Sequence, residues 1–290
     1  MVFASNFIGI DWGTTNRRTY VIADGRVEHS EQDNHGTTAM CRDQFKSEIA
    51  SIRTRLGDLP VLMAGMVGSS IGWRNAPYVR CPAGINDLAA QLLWCDPRTA
   101  IIPGLSLLDD GRADVMRGEE VQLLGAIVSG LVPPDALMIQ PGTHCKWVEA
   151  ADGRIVRFTT AMTGELFALL RSHGLLAPQL QADVVMGSAF AAGVEEGRKR
   201  DLGASLFGIR ASGLLGLRDD DGAASYASGM LIGSDVAARL AVLPSTVYIL
   251  ADSMLGSLYA HAVVANGGTA CFIDSNTAFS AGLIALGQLT

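Results

Sequence analysis

The chain's first apolar run, Phe7-Ile8-Gly9-Ile10, ends on Asp11 and a Trp-Gly-Thr-Thr-Asn string, after which Thr19-Tyr20-Val21-Ile22 turns apolar again. Short apolar runs bounded by Asp and Gly predict strands over 7–11 and 19–24, with Asp24-Gly25 as a hairpin dipeptide. Further on the spacing changes: Phe45, Ile49, Ile52 and Leu56 recur at four, three and four residues, which predicts a helix over 44–56. A short buried strand is expected over 60–65, then a long loop over 66–84 rich in Gly, Trp, Arg and Pro. Residues 119–131 read as a helix, 136–140 as a strand, and 146–158 as a hairpin turned by Asp152-Gly153. From 164 to about 243 the pattern is mostly helical. Strands over 246–250 and 269–274 flank a helix over 253–266. Strands and helices alternate, so the class is α/β.

Two stretches repeat one another. The first runs strand, Gly13-Thr14, strand, Asp24-Gly25-Arg26-Val27; the second runs strand, Gly142-Thr143, strand, Asp152-Gly153-Arg154-Ile155. From Gly to Asp is 11 residues in the first (13 to 24) and 10 in the second (142 to 152). Each copy opens one half of the chain, which predicts a duplicated β-hairpin unit, one per domain. Asp-Gly turns are common, and coincidence is the competing explanation.

Composition narrows the class. A chain of 290 residues suffices for two ordinary domains or one large one, and its 49% apolar share supports a sizeable core. With 22 Lys and Arg against 29 Asp and Glu, the net charge is −7. That argues against nucleic acid or an anionic membrane as partner, since both need clustered positive charge. A local group of arginines can still hold an anionic small molecule. The five cysteines (41, 81, 95, 145 and 271) are scattered, without a C-x-x-C pair. They suggest neither a disulfide framework nor a zinc site, and a reducing cytoplasm is expected. Residues 1–6 carry no basic segment leading into a long apolar one, so no signal peptide is expected, nor is any run long enough to span a membrane.

The repeated turns carry the first candidate chemistry. A tight Gly turn exposes backbone N–H groups, threonine hydroxyls add donors, and such a concave nest suits phosphate oxygens. Gly13, Thr14, Thr15 and Asn16 form one candidate phosphate turn; Gly142, Thr143 and His144 form the other. Lys146 is either a point charge for phosphate or a strand-face lysine. Asp11, at its strand's end, is placed to hold Mg²⁺, which favours one or two carboxylates plus phosphates and water. No P-loop string and no G-x-G-x-x-G after a strand is present.

Arg117-Gly118-Glu119-Glu120 opens the helix that leads to the second turn. One carboxylate would take the proton of a substrate hydroxyl attacking the γ-phosphate, with Arg117 neutralising charge. Glu119 and Glu120 equally suit the positive end of a helix dipole, with no chemistry implied. The loop from 65 to 84 holds Ser69, Ser70, Trp73, Arg74, Asn75 and Arg80. Arg74 and Arg80 could bind a carboxylate bidentately, or the segment is a plain surface loop. Thr163 is expected to cap a helix. His29, His35, His173 and His261 show no metal-ligand spacing and are read as structural.

The strings DWGTTN (11–16), GMVGS with GW and APYV (65–79), VMRGEE (115–120), PGTHCKWV (141–148), MTGELF (162–167), RASGLLG (210–216) and SYASGMLIG (225–233) together resemble the 2-dehydro-3-deoxygalactonokinase family of the actin/hexokinase/Hsp70-like ATPases. The resemblance spans nearly the whole chain. It implies two ribonuclease-H-like domains with ATP in the cleft between them. Residues 1–130 would carry the first phosphate hairpin and the sugar-acid loop, and 131–290 the second hairpin and the adenosine region. It implies ATP and Mg²⁺ as cofactors and phosphorylation of 2-dehydro-3-deoxy-D-galactonate at its 6-hydroxyl, in galactose and galactonate breakdown. It puts the first phosphate motif on Asp11, Gly13, Thr14 and Thr15, the second on Gly142 and Thr143, and the catalytic carboxylate on Glu119 or Glu120. Sugar-acid contacts would come from Ser69, Trp73, Arg74, Arg80 and Arg117. Two departures stand out: Ala251-Asp252-Ser253 follows the strand where the superfamily has a Gly-Gly pair, and Cys145 stands where a serine is expected. A kinase of the same fold for another sugar or sugar acid, and a non-catalytic nucleotide or sugar-acid sensor, remain alternatives. The sequence leaves room for a homo-oligomer.

Overall fold

The computed structural model describes residues 2–3, 5–109, 111–199, 201–217, 220–240 and 246–290, the side chain of Asp220 excepted. The strands are β1 (Asn6–Trp12), β2 (Arg17–Ala23), β3 (Arg26–Asp33), β4 (Val61–Gly65), β5 (Tyr78–Arg80), β6 (Leu93–Asp96), β7 (Thr99–Ile101), β8 (Gly104–Asp109), β9 (Arg112–Met116), β10 (Ala136–Gln140), β11 (Cys145–Ala151), β12 (Arg154–Ala161), β13 (Thr246–Leu250) and β14 (Thr269–Ile273). The α-helices are α1 (Phe45–Leu56), α2 (Ile85–Ala90), α3 (Glu119–Val128), α4 (Thr163–Ser172), α5 (Ser188–Gly197), α6 (Leu202–Leu214), α7 (Ala223–Leu240), α8 (Ser253–Ala265) and α9 (Ser275–Leu289).

Two compact units emerge, and neither is one continuous stretch. The first comprises Met1–Asp135, Glu149–Phe158 and Asp274–Thr290; the second comprises Ala136–Val148 and Thr159–Ile273. The last helix and the tip of the β11–β12 hairpin therefore cluster with the N-terminal residues, not with the half that precedes them in the chain.

In the first unit, six strands run in the order β3-β2-β1-β4-β7-β6. The pairs β1–β2 and β2–β3 are antiparallel, whereas β1–β4 and β4–β7 are parallel. α1 lays Phe45, Ile49 and Ile52 on this sheet, against Ile8, Ile10, Trp12 and Met63. That face is the one the four-three-four spacing predicts. A smaller sheet, β5-β8-β9, follows. β5 interrupts the expected long loop, and a strand of three residues is too short for periodicity to reveal. α3 ends at Val128, three residues before the expected end, because Gly130 takes a positive φ of 74° just beyond it. α3 and α9 touch backbone to backbone: a Cβ on Gly125 would stand 2.0 Å from the Ala278 carbonyl oxygen, and one on Gly282 would stand 2.2 Å from that of Val121. This contact fixes α3, and with it the carboxylates at its N-terminus.

A five-stranded sheet runs in the order β12-β11-β10-β13-β14, with β10–β13 and β13–β14 parallel. The order repeats the first sheet's meander and crossover. The hairpins match in detail as well: Asp24 and Gly25 have φ of 48° and 73°, and Asp152 and Gly153 have 51° and 73°. Two successive positive φ values define the hairpin turn whose twist matches its strands, which is why Asp-Gly recurs. The expected helical stretch is broken into α4, α5, α6 and α7, and residues 241–243 of it lie outside the described residues.

Candidate active site

β1, an interior strand of the six-stranded sheet, carries Asp11 next to its last residue. Its neighbours in register are Arg18 on β2 and Ala64 on β4. One residue later, Trp12 pairs with Gly65, where β4 ends. Gly65 and Gly118 have φ of 89° and 103°, values that side chains with a Cβ rarely adopt. The close packing of these two residues brings the end of β4 and the start of α3 against the Asp11 carboxylate. Burial pushes the half-buried Asp11 up to about 6; Arg18 opposes this and Glu119 adds to it.

The two glutamates of α3 differ. Glu120 is fully buried, and both its carboxylate oxygens accept from the Gly118 N–H, at 2.9 and 2.7 Å. Burial first, and then Glu119, raise it to about 8. Glu119 is half-buried and accepts from the Arg117 N–H through Oε2 at 2.9 Å. Arg117 is buried, stacks on the Tyr78 ring at 4.3 Å and donates to the Ala76 carbonyl at 2.8 Å. Its Nε and Nη1 have no hydrogen-bond partner among the described residues.

The first turn, Gly13–Asn16, is closed by the Gly13 N–H donating to the Asn16 carbonyl. Its carbonyls face away from the available side: Thr37 N–H donates to Gly13, Thr38 N–H and hydroxyl to Thr14, and Gly36 N–H to Thr15. Gly36 lies so close that a Cβ there would stand 2.3 Å from the Thr14 carbonyl oxygen. The turn thus presents its N–H edge, with Thr14, Thr15 and Asn16 exposed. Behind it, buried Arg17 bridges Asp33 and Glu48 at 2.5 and 2.7 Å, and Trp12 Nε1 donates to the His35 carbonyl at 2.8 Å. Sequence reasoning missed Gly36 and Arg17; no motif marks a glycine that matters for what approaches it.

The second turn has a similar backing. A Cβ on Gly164 would stand 2.4 Å from the Gly142 carbonyl oxygen, and the Glu165 N–H donates to Thr143 at 2.8 Å. His144 pairs with Glu165 at 2.6 Å. Lys146 is buried in β11 and donates to the Thr160 hydroxyl of β12 at 2.8 Å. Thr163 does not cap α4: Met162 is the N-cap, and the Thr163 hydroxyl donates to Asp235 instead. Beside Gly142 and Gly164 lies an apolar cavity of about 200 Å³, lined by Phe167, Leu231, Met254 and Leu258 among others. Asp252, in the place expected of a Gly-Gly pair, caps α8 by accepting from the Leu255 N–H.

The other sugar-acid candidates have structural partners. Ser69 donates to the Met66 carbonyl, and Trp73 stacks on Phe45 with Arg74 over its ring at 5.8 Å. Arg80 is exposed and donates weakly to Leu108 at 3.4 Å. Arg42, which the sequence did not single out, holds this loop through the Gly72 and Ser70 carbonyls. All five cysteines are free thiols. Among the described residues no group of three or more His, Cys, Asp or Glu could hold a metal ion, and no helix is long and apolar enough to cross a membrane.

The pattern of the 2-keto-3-deoxy-galactonokinase family matches residues 11–286. The chain is similar to the 2-dehydro-3-deoxygalactonokinase of Escherichia coli (strain K12), 37% identical over 284 residues and 96% of each chain. It is also similar to a Sinorhizobium meliloti protein whose crystal structure was solved as a candidate 2-dehydro-3-deoxygalactonokinase. That match has a TM-score of 0.90, with 34% identity over 97% of each chain. A ligand-bound xylulose kinase from Lactobacillus acidophilus, at 9% identity, shares the fold alone, with a TM-score of 0.51 over 98% of this chain and 89% of that one.

Proposed function

The chain belongs to the 2-keto-3-deoxy-galactonokinase family, and on that premise we propose that it transfers the γ-phosphoryl group of ATP to the 6-hydroxyl of 2-dehydro-3-deoxy-D-galactonate. The fold is that of the actin-like ATPases and sugar kinases, and the family is ATP-dependent. The observation that carries the reading is the convergence of Asp11 and Glu119 beside the Gly13–Asn16 turn, held there by the Gly65–Gly118 contact.

In this reading the N–H edges of the Gly13–Asn16 and Gly142–Thr143 turns bind phosphate oxygens. Thr14, Thr15 and Asn16 add polar groups to the first, and His144 adds one to the second. Glu119 is the general base. Its Oε2 is fixed by the Arg117 N–H, which leaves Oε1 to accept the proton of the substrate hydroxyl. Glu120 turns both oxygens to the Gly118 N–H and shapes the helix start. Asp11 suits Mg²⁺: its carboxyl is raised by burial and crowded by Glu119, an excess of negative charge that a divalent cation relieves. When bound, that ion supplies neutralisation of phosphate charge. Arg117 brings a buried cation to the neighbourhood of the base, and the exposed Arg74 and Arg80 are available to the carboxylate of the sugar acid. The apolar cavity beside Gly142 is the adenine site, and its volume suits one bicyclic base. ATP as the phosphoryl donor and free thiols throughout fit work in the cytoplasm.

Incubation with Mg-ATP and 2-keto-3-deoxygalactonate, with the product read by proton–phosphorus correlated NMR, tests the reading. Phosphorus coupled to the C6 methylene protons is the expected result. Coupling to any other position overturns the 6-hydroxyl assignment, and the absence of phosphorylated product overturns the activity.

A further inference from the structure

Behind the second turn stands a buried polar cluster centred on a carboxylate that the proposed reaction does not use. Asp235, in the C-terminal half of α7, is buried. Its Oδ2 accepts from the Thr163 hydroxyl at 3.1 Å, across 72 residues of chain. It also faces the Cys145 thiol, the Trp147 indole and the charge of Arg239, and the Cys145 thiol in turn meets the Tyr259 hydroxyl. Burial pushes the Asp235 carboxyl above its ordinary range. A buried carboxylate costs more than an apolar side chain of the same size, so its presence away from the reacting atoms calls for a positional role.

The groups around Asp235 lie on both sides of the turn. Cys145 and Trp147 belong to β11, the strand that leaves it. Thr163 opens α4, whose first turn grips it at three points: Gly164 against the Gly142 carbonyl, the Glu165 N–H on the Thr143 carbonyl, and the Glu165 carboxylate on His144. α4 has no side-chain cap of its own. Its start is held by the bond from Thr163 to Asp235.

We propose that Asp235 is the positioning residue of the Gly142–Thr143 turn, acting through Thr163 and the first turn of α4 to hold that turn in the shape that binds ATP phosphates. The proposal rests on the reading of the turn as a phosphate site. It predicts that loss of the Asp235–Thr163 bond weakens ATP binding while leaving the sugar acid's KM unmoved.

Four variants separate the possibilities. Asp235→Ala removes the acceptor, Thr163→Val removes the donor at constant shape, and Asp235→Asn keeps an acceptor oxygen. Gly164→Ala presses directly on the turn. ATP and adenosine affinities are measured by calorimetry on each folded variant, beside KM for both substrates and kcat. Asp235→Ala and Thr163→Val should each weaken ATP about tenfold, the scale of one hydrogen bond. Asp235→Asn should restore most of that affinity, and KM for the sugar acid should stay within about twofold throughout. A merely structural Asp235 would lower the Tm without this selectivity, and that result overturns the proposal. If Gly164→Ala weakens ATP but not adenosine, and Asp235→Ala and Thr163→Val weaken neither, the positioning role fails and the phosphate site stands. If Gly164→Ala also leaves ATP affinity unchanged, the phosphate reading of the turn fails and the proposal falls with it.

Discussion

Gly118 meets Gly65 backbone to backbone beside the Asp11 carboxylate: a Cβ on Gly118 would stand 3.1 Å from the Gly65 Cα. A Cβ on Gly65 would stand 2.8 Å from the Trp12 carbonyl oxygen and 3.4 Å from Asp11 Oδ1. Gly65→Ala therefore combines an unfavourable φ with a steric clash at the site's centre. It should cost about 1–3 kcal/mol of stability and lower kcat about a hundredfold through displacement of Asp11 and α3. Thermal unfolding and steady-state turnover of the one variant check both effects.

Glu119 and Glu120 should separate cleanly in kinetics. Glu119→Gln removes the proposed base and should lower kcat by about 10²-fold or more, with little change in KM for ATP. Glu120→Gln keeps an oxygen for the Gly118 N–H and should retain most of the turnover. The opposite ranking would move the base to Glu120.

Glu120 also gives stability a pH dependence of known sign. Its folded carboxyl titrates at about 8 against an ordinary 4.5. Between those values the folded chain keeps a proton that the unfolded chain releases, so stability falls as pH rises through the window. The contribution is full below the ordinary value and lost above the folded one. Denaturant unfolding across that range should show the slope, and Glu120→Gln should flatten it.

Asp11, raised to about 6, should give kcat/KM an acid limb near that pH, because the carboxyl must ionise before it can hold a cation. Asp11→Asn should raise the Mg²⁺ concentration needed for half-maximal rate about tenfold or more. A magnesium titration of wild type and variant at one fixed ATP concentration reads this directly.

Much of the fold was legible where period and turn chemistry agree. The spacing of Phe45, Ile49 and Ile52 marked α1 and its buried face, and Asp24-Gly25 and Asp152-Gly153 marked two turns with the same pair of positive φ values. The duplicated hairpin emerged from those same residues. The strands between 93 and 116 were not legible: they are short, and their exposed positions carry Trp94, Leu108 and Val115, which blurs alternation. The last helix, α9, pairs with α3 through Gly125 and Gly282, a contact that leaves only two glycines as its trace in the sequence. At the site, Asp11 and the Gly-Thr turns could be named from strand-end chemistry. The difference between Glu119 and Glu120 could not, since it depends on which oxygen meets which N–H. Thr163 read as a cap for a sound local reason, yet its partner lies 72 residues away.

The most direct test of the central claim is ADP release from Mg-ATP with a panel of acceptors: 2-keto-3-deoxygalactonate, 2-keto-3-deoxygluconate, galactonate, gluconate, galactose and buffer alone. A rate with 2-keto-3-deoxygalactonate far above all the others is expected. A panel in which another acceptor is preferred, or in which folded protein that binds ATP releases no ADP with any of them, would contradict the claim.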